Sequence, residues 1–324
     1  MTFIKHSWLV VAAVLLSFQG IAQEVPSVGE NLAYLVTFGN KAQPKWGDDD
    51  FTQVFFMLIP ENNTAPVYLR VYDPDVGGKV DQPNRDFNTK TKFAVYGGSG
   101  CHSEKDARWI DPKGNYKSGN MLASKIFGSD SQYDDAWYSF GPFNPSEGEY
   151  NEDFHGYIFK IVCEGVTGDD GNLYKYFLST RPNTNTPLEG GNMFTYEYAF
   201  RLVSRPVSVA HLYPFVDDKV VSVTQNNFDF DADGIIRIYS IAKNGHDVST
   251  SSDNTWARST HQIDELECGR SLDLRIMKRA AFDNDMTLYI TNQYNEPLPF
   301  FAVPLGGPPK YRYKMKINLF NKDD

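Results

Sequence analysis

Short segments rich in aromatic and β-branched residues follow one another along the sequence, and this repetition constrains the fold more than any other feature. Examples are NLAYLVTFGN (31–40), PVYLRVYD (66–73) and YIFKIVCEG (157–165). Gly, Pro, Asn or Asp bounds each segment, which is the pattern of strands separated by turns. Neither half of the chain contains an amphipathic helix of ordinary length. The sequence therefore predicts an all-β protein.

The strand signals form two series, separated near residue 205 by SRPVSV, where Pro206 breaks the pattern. The second series ends in RYKMKINLF (312–320). Roughly 300 residues exceed what one hydrophobic core usually serves. We therefore expect two β-sandwich domains in tandem, 23–205 and 206–324, of jelly-roll-like form. The two halves share a style of strand but show no convincing sequence repeat.

The first residues have the pattern of a secretory signal peptide. Lys5 precedes an apolar run from Trp8 to Phe18, and small residues then lead to Ala22. This run is too short to span a bilayer. We expect residues 1–22 to be removed and the protein to be exported, to the periplasm or to the extracellular space. No later stretch is apolar enough to predict direct membrane insertion.

The charge balance narrows the classes of partner. The formal net charge is -10, and removal of residues 1–22 takes away Lys5 and no acid, which gives -11. An acidic surface repels nucleic acid and anionic membranes, so neither is expected as the main partner. Cations, neutral polymers and proteins remain.

One acidic stretch could bind a cation. In YDPDVGG (72–78), Asp73 and Asp75 follow a predicted strand and are two residues apart, so alternation directs both carboxylates to one side. Calcium takes six to eight oxygen ligands, mostly carboxylates and carbonyls. The competing interpretation is a solvated acidic turn. The candidate calcium ligands of this first site are Asp73 and Asp75, joined by Asp48, Asp49 or Asp50 from an earlier loop and closed by Asp81 or Asp86.

The same residues carry a resemblance. A strand that ends in an Asp-x-Asp loop, opposed by an acidic loop between earlier strands, resembles the calcium-binding end of a C2-type sandwich. The likeness covers roughly residues 30–100 and implies a C2-like first domain with bound calcium. The acids do not follow the full spacing of that family.

A second, weaker candidate lies in FDFDADG (228–234). Asp229, Asp231 and Asp233 match the opening of a D-x-D-x-D-G calcium loop, but Ser240 stands where an EF-hand has its last Glu. The competing interpretation is a hairpin turn at Asp233-Gly234, with Phe228 and Phe230 buried.

Catalytic patterns are weak. YGGSGC (96–101) has Cys101 where a nucleophile elbow has Gly, and the adjacent Cys101 and His102 point apart in an extended chain. Cys101 and Cys163 could form a disulfide bridge. We expect a protein that is not an enzyme. The rival class is a carbohydrate-binding or carbohydrate-active protein, because four tryptophans lie in or beside predicted loops and could stack on sugar rings: Trp46, Trp109, Trp137 and Trp256.

A second resemblance concerns the whole chain. The signal ending in IAQ, and stretches such as DPDVGGKVD and LASKIFGSDSQYDDAW, are similar to periplasmic proteins of the Bacteroidetes type IX secretion system, including the plug of its translocon. This resemblance implies a protein partner, such as an outer-membrane translocon. We expect a non-catalytic binding module that plugs or organises a secretion complex; a glycan partner stays open.

Overall fold

A computed structural model describes residues 24–26, 32–110, 116–203, 209–279 and 281–306. The predicted signal segment 1–22 and the predicted strand 312–320 lie outside the described residues. Within these ranges the elements are β-strands and four short 3-10 helices, so the all-β prediction is confirmed. None of the described helices is long and apolar enough to cross a bilayer. The 3-10 helices are Pro44–Trp46, Lys105–Arg108, Pro145–Glu147 and Glu265–Glu267.

The strands of the described residues are short, as the spacing of the turn residues predicts. In chain order they are β1 (Glu24–Val25), β2 (Leu32–Phe38), β3 (Thr52–Pro60), β4 (Val67–Tyr72), β5 (Lys90–Gly97), β6 (Asn120–Phe127), β7 (Trp137–Phe143), β8 (Glu149–Asn151), β9 (Gly156–Thr167), β10 (Gly171–Ser179), β11 (Asn192–Thr195), β12 (Glu197–Leu202), β13 (Val209–Leu212), β14 (Phe215–Val216), β15 (Ser222–Phe228), β16 (Gly234–Tyr239), β17 (Asn244–Val248), β18 (Trp256–Gln262), β19 (Arg270–Ser271), β20 (Asp273–Lys278), β21 (Asn284–Asn292) and β22 (Phe300–Phe301).

The strands pair in antiparallel sheets. A nine-stranded sheet, called the long sheet below, has the order β18-β15-β21-β12-β2-β10-β4-β7, with β1 also paired to β10. A seven-stranded sheet has the order β22-β11-β3-β9-β5-β6, with β8 also paired to β9. A four-stranded sheet has the order β13-β20-β16-β17, and β14 pairs with β19.

These sheets form two sandwiches with the same strand order. In the first sandwich, β2-β10-β4-β7 of the long sheet face β3-β9-β5-β6. In the second sandwich, β12-β21-β15-β18 face β13-β20-β16-β17. When the eight strands of either sandwich are numbered along the chain, the two sheets read 1-8-3-6 and 2-7-4-5, the order of a jelly roll. The two halves are therefore a structural repeat, although their sequences show none.

The two sandwiches meet where β2 pairs with β12, their first strands. Register partners form one row across this junction, from Tyr174 to Leu35, Phe200 and Met286. All four side chains belong to one buried apolar cluster, which also includes residues of the four-stranded sheet. Phe55 of β3 packs edge-on against Tyr198 of β12, with ring centroids 5.2 Å apart. One core thus runs through both sandwiches.

This continuity bears on the predicted boundary near residue 205, which falls in 204–208, outside the described residues. By strand order the second sandwich begins with β12, on the amino-terminal side of that boundary. The segments 23–205 and 206–324 share the long sheet through the pairing of β12 with β21. We therefore expect the two segments to fold together.

The three cysteines are unpaired, so the Cys101–Cys163 bridge does not form. Cys163 lies on β9 and faces the core between the sheets. Cys101 packs beside Val162, the neighbour of Cys163, in a separate cluster. Successive side chains of a strand point to opposite faces, so the two thiols lie on opposite sides of the sheet.

The position of β12 predicts how fragments behave. A fragment of residues 206–324 lacks β12 and leaves the buried edge of β21 exposed, so it should show no cooperative thermal unfolding. A matched fragment of residues 196–324 keeps β12 and should show a cooperative thermal unfolding transition. Circular dichroism melts of both fragments and of the full chain test this. Equal, cooperative melts of the two fragments would contradict it.

Candidate cation sites

Asp73 and Asp75 are brought together at the end of β4, as predicted, and a third acid joins them. Ligand oxygens of Asp73, Asp75 and Asp134 all lie within 4.8 Å of one another. Asp134 precedes β7, the strand that pairs with β4, so antiparallel pairing places the two loops side by side. Asp73 leaves the strand geometry with a φ of 54°. The first acidic cluster is therefore Asp73, Asp75 and Asp134.

Several oxygens of this cluster are buried and lack hydrogen bonds. Asp75 is fully buried; its Oδ2 accepts from the Asp130 N–H at 2.9 Å, but its Oδ1 has no partner within the described residues. Asp134 Oδ1 is likewise unpaired there. The amide of Asn172 reaches the same loop, donating from Nδ2 to Pro74 O at 2.9 Å, while its buried Oδ1 has no partner. Buried polar atoms are usually hydrogen-bonded, so these oxygens are available to a bound group.

The glycines predicted to turn the chain allow Asp134 to approach. A Cβ on Gly77 would lie 2.8 Å from Asp134 Oδ1, and one on Gly78 would lie 3.1 Å from Asp134 Cγ. Gly78 also has a φ of +66°, which L side chains rarely adopt. The Gly77-Gly78 pair therefore gives the third carboxylate room above the Asp-x-Asp loop.

Asp81 holds the Asp-x-Asp loop in place through hydrogen bonds. Its Oδ2 accepts from the Gly77 N–H at 2.8 Å and its Oδ1 from the Leu173 N–H at 2.6 Å. Both oxygens are thus engaged by the backbone, and Asp81 fixes the loop against β10. Asp86, the alternative closing residue, is exposed on the same connection.

Burial and mutual repulsion favour the protonated forms of these acids. Burial, followed by the charges of Asp75, Asp135 and Asp134, raises the pKa of Asp73 to about 7. Burial and the nearby Asp134 raise the pKa of Asp75 to about 6. Asp81 has a pKa raised well above its ordinary value, chiefly by burial. A cation among these groups would relieve both effects.

Asp48, Asp49 and Asp50 do not join this cluster. The turn before them packs on β21, because Thr287 Oγ1 donates to Gly47 O at 2.8 Å. Three strands of the long sheet, β12, β2 and β10, lie between β21 and β4. Asp48 instead caps its own loop, accepting from the N–H groups of Phe38 and Phe51. The sequence could not show on which side of β2 this loop would lie.

The second candidate loop has a similar cluster at the end of β15. Ligand oxygens of Asp229, Asp231 and Asp253 lie within 4.8 Å of one another. Burial, followed by the charges of Asp231, Asp253 and Asp285, raises the pKa of Asp229 to about 7. Asp231 also has a pKa raised by burial and by Asp253. The second acidic cluster is Asp229, Asp231 and Asp253.

Asp233 is not part of that group. Its Oδ2 lies 3.9 Å from Lys278 Nζ, so a cation of the protein already neighbours it. The predicted hairpin at Asp233-Gly234 is wrong, because β15 belongs to the long sheet and β16 to the four-stranded sheet. The expected burial of Phe228 and Phe230 is confirmed.

Asp134 and Asp253 were not predicted, because they are distant from the Asp-x-Asp loops along the chain. A signal was present, since each acid stands three residues before a tryptophan that begins a strand, in DDAW (134–137) and DNTW (253–256). The pairing of Tyr72 with Trp137 and of Phe228 with Trp256 could not be known before the strand order.

The side chains of Cys101 and His102 point in different directions, as the sequence predicted. The Cys101 thiol donates to Ile158 O at 3.2 Å, and burial raises its pKa to about 12. His102 Nε2 lies 3.0 Å from Tyr196 Oη, and burial lowers the His102 pKa to about 4. The imidazole ring packs against Phe56 and Phe194.

Trp109 lines a cleft between the two sandwiches, whereas Trp46 lines a separate pocket with acids of the second cluster. Trp109 is 40% exposed and Trp256 is 38% exposed. Trp137 and Trp256 pack with tilted rings on Tyr72 and Phe228, beside the acidic clusters. The cleft has a volume of about 360 Å³ and combines rings with polar groups. Its lining includes Trp109, Phe154 and Phe215 with Asn151, Asp153 and Glu296.

Comparisons with known proteins add little. No protein-family model and no curated protein matches this chain. Among solved structures, the chain is similar to the T=3 particle of Penaeus vannamei nodavirus, with 11% identity, 94% of this chain and 95% of that chain covered, and a TM-score of 0.18. The T=1 particle of the same virus gives 11% identity, coverage of 84% and 95%, and a TM-score of 0.16. These TM-scores are too low to imply a shared fold.

The raised pKa values predict how stability depends on pH without divalent cations. A carboxyl with a raised folded pKa contributes stability that is complete below its unfolded pKa of about 4 and is lost as pH rises through its folded pKa. For Asp73 and Asp75 this loss falls at pH 6 to 7. In chelator, the melting temperature should fall between pH 5 and pH 8, and it should fall less in Asp73→Asn. Identical pH profiles of the two proteins would contradict this.

Proposed function

We propose that the protein is an exported, non-catalytic binding module of two β-sandwiches that calcium stabilises. The observation that carries the calcium part is the first acidic cluster, where the buried Asp75 Oδ1 has no partner in the described part of the chain. All available donors there are oxygens, which suit hard cations and not zinc or copper. Loops with acids at irregular spacing favour calcium over magnesium, since magnesium demands near-octahedral geometry.

The proposed partner is a protein, and an edge strand supports this. β6 ends the seven-stranded sheet, and no described strand pairs with its outer edge. Met121 and Ile126 on this strand are 57% and 55% exposed. An exposed apolar edge can accept an added strand from a partner. The resemblance to type IX secretion proteins suggests an outer-membrane translocon as the partner and the periplasm as the compartment.

A second candidate function is carbohydrate binding, and the cleft that contains Trp109 favours it. An exposed indole ring beside carboxylate and amide groups is a suitable surface for a sugar, since the ring stacks and the polar groups bind hydroxyls. This candidate differs from the first in its site, which is the cleft between the sandwiches and not the β6 edge.

Calcium should raise the stability of the chain through the first acidic cluster. Extracellular calcium modules bind at roughly 10⁻⁴–10⁻³ M, and a calcium concentration ten times the dissociation constant adds about 1.4 kcal/mol by linkage. The double change Asp73→Asn, Asp75→Asn should abolish most of the gain and raise stability in chelator. The control Asp86→Asn, Glu189→Gln removes two exposed acids and should respond like the parent chain.

The measurement is the melting temperature at pH 7.5, with chelator and with calcium from 0.1 to 10 mM. A parent chain that is indifferent to calcium would show that YDPDVGG is an acidic turn.

The tagged chain should also retain a protein from solubilised native membranes, and Met121→Lys, Ile126→Lys should retain less of it. The matched control Val221→Lys changes another exposed apolar residue, which is 59% exposed and lies away from β6. Equal recovery with all variants would exclude the β6 edge. Binding to a glycan array that Trp109→Ala abolishes, with no protein recovered, would replace the protein partner by a carbohydrate.

A further inference from the structure

We infer that the chain binds two calcium ions at equivalent sites, one in each sandwich, and that the second acidic cluster is the counterpart of the first. This inference rests on the proposed calcium site at Asp73 and Asp75. The two clusters occupy the same place in the repeated strand order, after the third strand and before the sixth strand of each sandwich. Those strands are β4 and β7 in one sandwich, β15 and β18 in the other.

Two hydrogen bonds that hold the first acid of each loop have counterparts in both clusters. The Asp73 N–H donates to Ala136 O at 2.9 Å, and the Asp229 N–H donates to Thr255 O at 3.3 Å. In return, Asp73 Oδ1 accepts from the Asp135 N–H at 3.1 Å, and Asp229 Oδ1 accepts from the Asn254 N–H at 2.6 Å. The four residues Asp73, Asp135, Asp229 and Asn254 all have φ between 53° and 59°.

The aromatic residues beside the clusters match as well. Tyr72 pairs in register with Trp137, and their rings are 5.3 Å apart. Phe228 pairs in register with Trp256, and their rings are 5.2 Å apart. The third acid of each cluster, Asp134 or Asp253, stands three residues before the tryptophan of its pair.

An asparagine completes each arrangement from the eighth strand. Asn172 lies three residues before Lys175, the register partner of Tyr72. Asn284 lies three residues before Thr287, the register partner of Phe228. Each amide donates into its Asp-x-Asp loop at 2.9 Å, Asn172 to Pro74 O and Asn284 to Asp229 O.

The unpaired oxygens point to a ligand at the second cluster independently of its acids. Asn284 is 5% exposed, and its Nδ2 also lies 3.3 Å from Asp231 Oδ2, which fixes the amide at the cluster. Its Oδ1 is buried with no partner among the described residues, as is Asp231 Oδ1. Asn172 Oδ1 and Asp75 Oδ1 are the unpaired atoms at the matching positions of the first cluster.

The donors at the second cluster are again carboxylate and amide oxygens, the set that calcium takes. Two differences predict the weaker affinity there. Asp253 is exposed, and Lys278, whose Nζ lies 3.9 Å from Asp233 Oδ2 in the same loop, opposes a bound cation by its charge. We therefore expect two binding events, the tighter at Asp73 and Asp75.

The test is calorimetric titration of the full chain with calcium chloride alone, after chelator has been removed. The parent chain should bind two ions. Asp134→Asn and Asp253→Asn each remove one acid from one site and no backbone hydrogen bond that fixes a loop. Each should weaken one binding event by about tenfold or more, as loss of a metal ligand or its support does. Asp86→Asn is the control with the same change in charge. The fold of each variant is checked by comparing its melting curve in chelator with that of the parent chain.

The outcomes separate the two proposals. One bound ion that Asp134→Asn weakens and Asp253→Asn leaves unchanged would overturn the second site and leave the proposed function standing. One bound ion that responds only to Asp253→Asn would overturn the first site. No bound ion at millimolar calcium would overturn both. If a variant misfolds, terbium bound by the parent chain and displaced by calcium, counted by its luminescence, decides between one site and two.

Discussion

The structure depends on the antiparallel pairing of β2 with β12. This pairing joins two sandwiches of the same strand order into one long sheet, so the apolar row from Tyr174 to Met286 runs without a break from one sandwich into the other. An unpaired first strand in either sandwich would leave an open edge in the centre of the molecule. Pairing of these two strands covers both edges, and the shared core couples the stability of the two sandwiches.

The acidic clusters are consequences of the same topology. In each sandwich the third strand pairs with the sixth, so the loop that follows the one lies beside the loop that precedes the other. Acids that are distant along the chain meet there, and the eighth strand adds an asparagine from the other side. Burial, followed by the repulsion among these acids, raises the pKa of Asp73 and of Asp229 to about 7. A cation is the simplest group that compensates it.

The sequence predicted the fold class and half of each cluster. Alternating apolar residues and turn residues are local signals, so the strands and the Asp73–Asp75 pair could be read from neighbouring positions. Strand order is set by contacts between distant segments. For that reason Asp134, Asn172, Asp253 and Asn284 were missed, and Asp48 to Asp50 were placed beside β4 when they lie toward β21. The repeat could not be recognised in the sequence, because the two Asp-x-Asp loops share hydrogen bonds while most of their side chains differ. Pro74 and Phe230, for example, occupy equivalent positions.

The long sheet also sets the directions in which its two ends face. From β4 to β15 there are five strand-to-strand steps. At about 4.8 Å per step, the ends of these strands are separated by roughly 24 Å. Neighbouring strands are rotated by about 20–25°, so the accumulated twist is on the order of 100–125°. Asp81, which fixes the Asp73 loop, nevertheless lines one cleft of about 470 Å³ together with Asp229 and Asp231, so a partner that enters this cleft contacts carboxylates of both sandwiches.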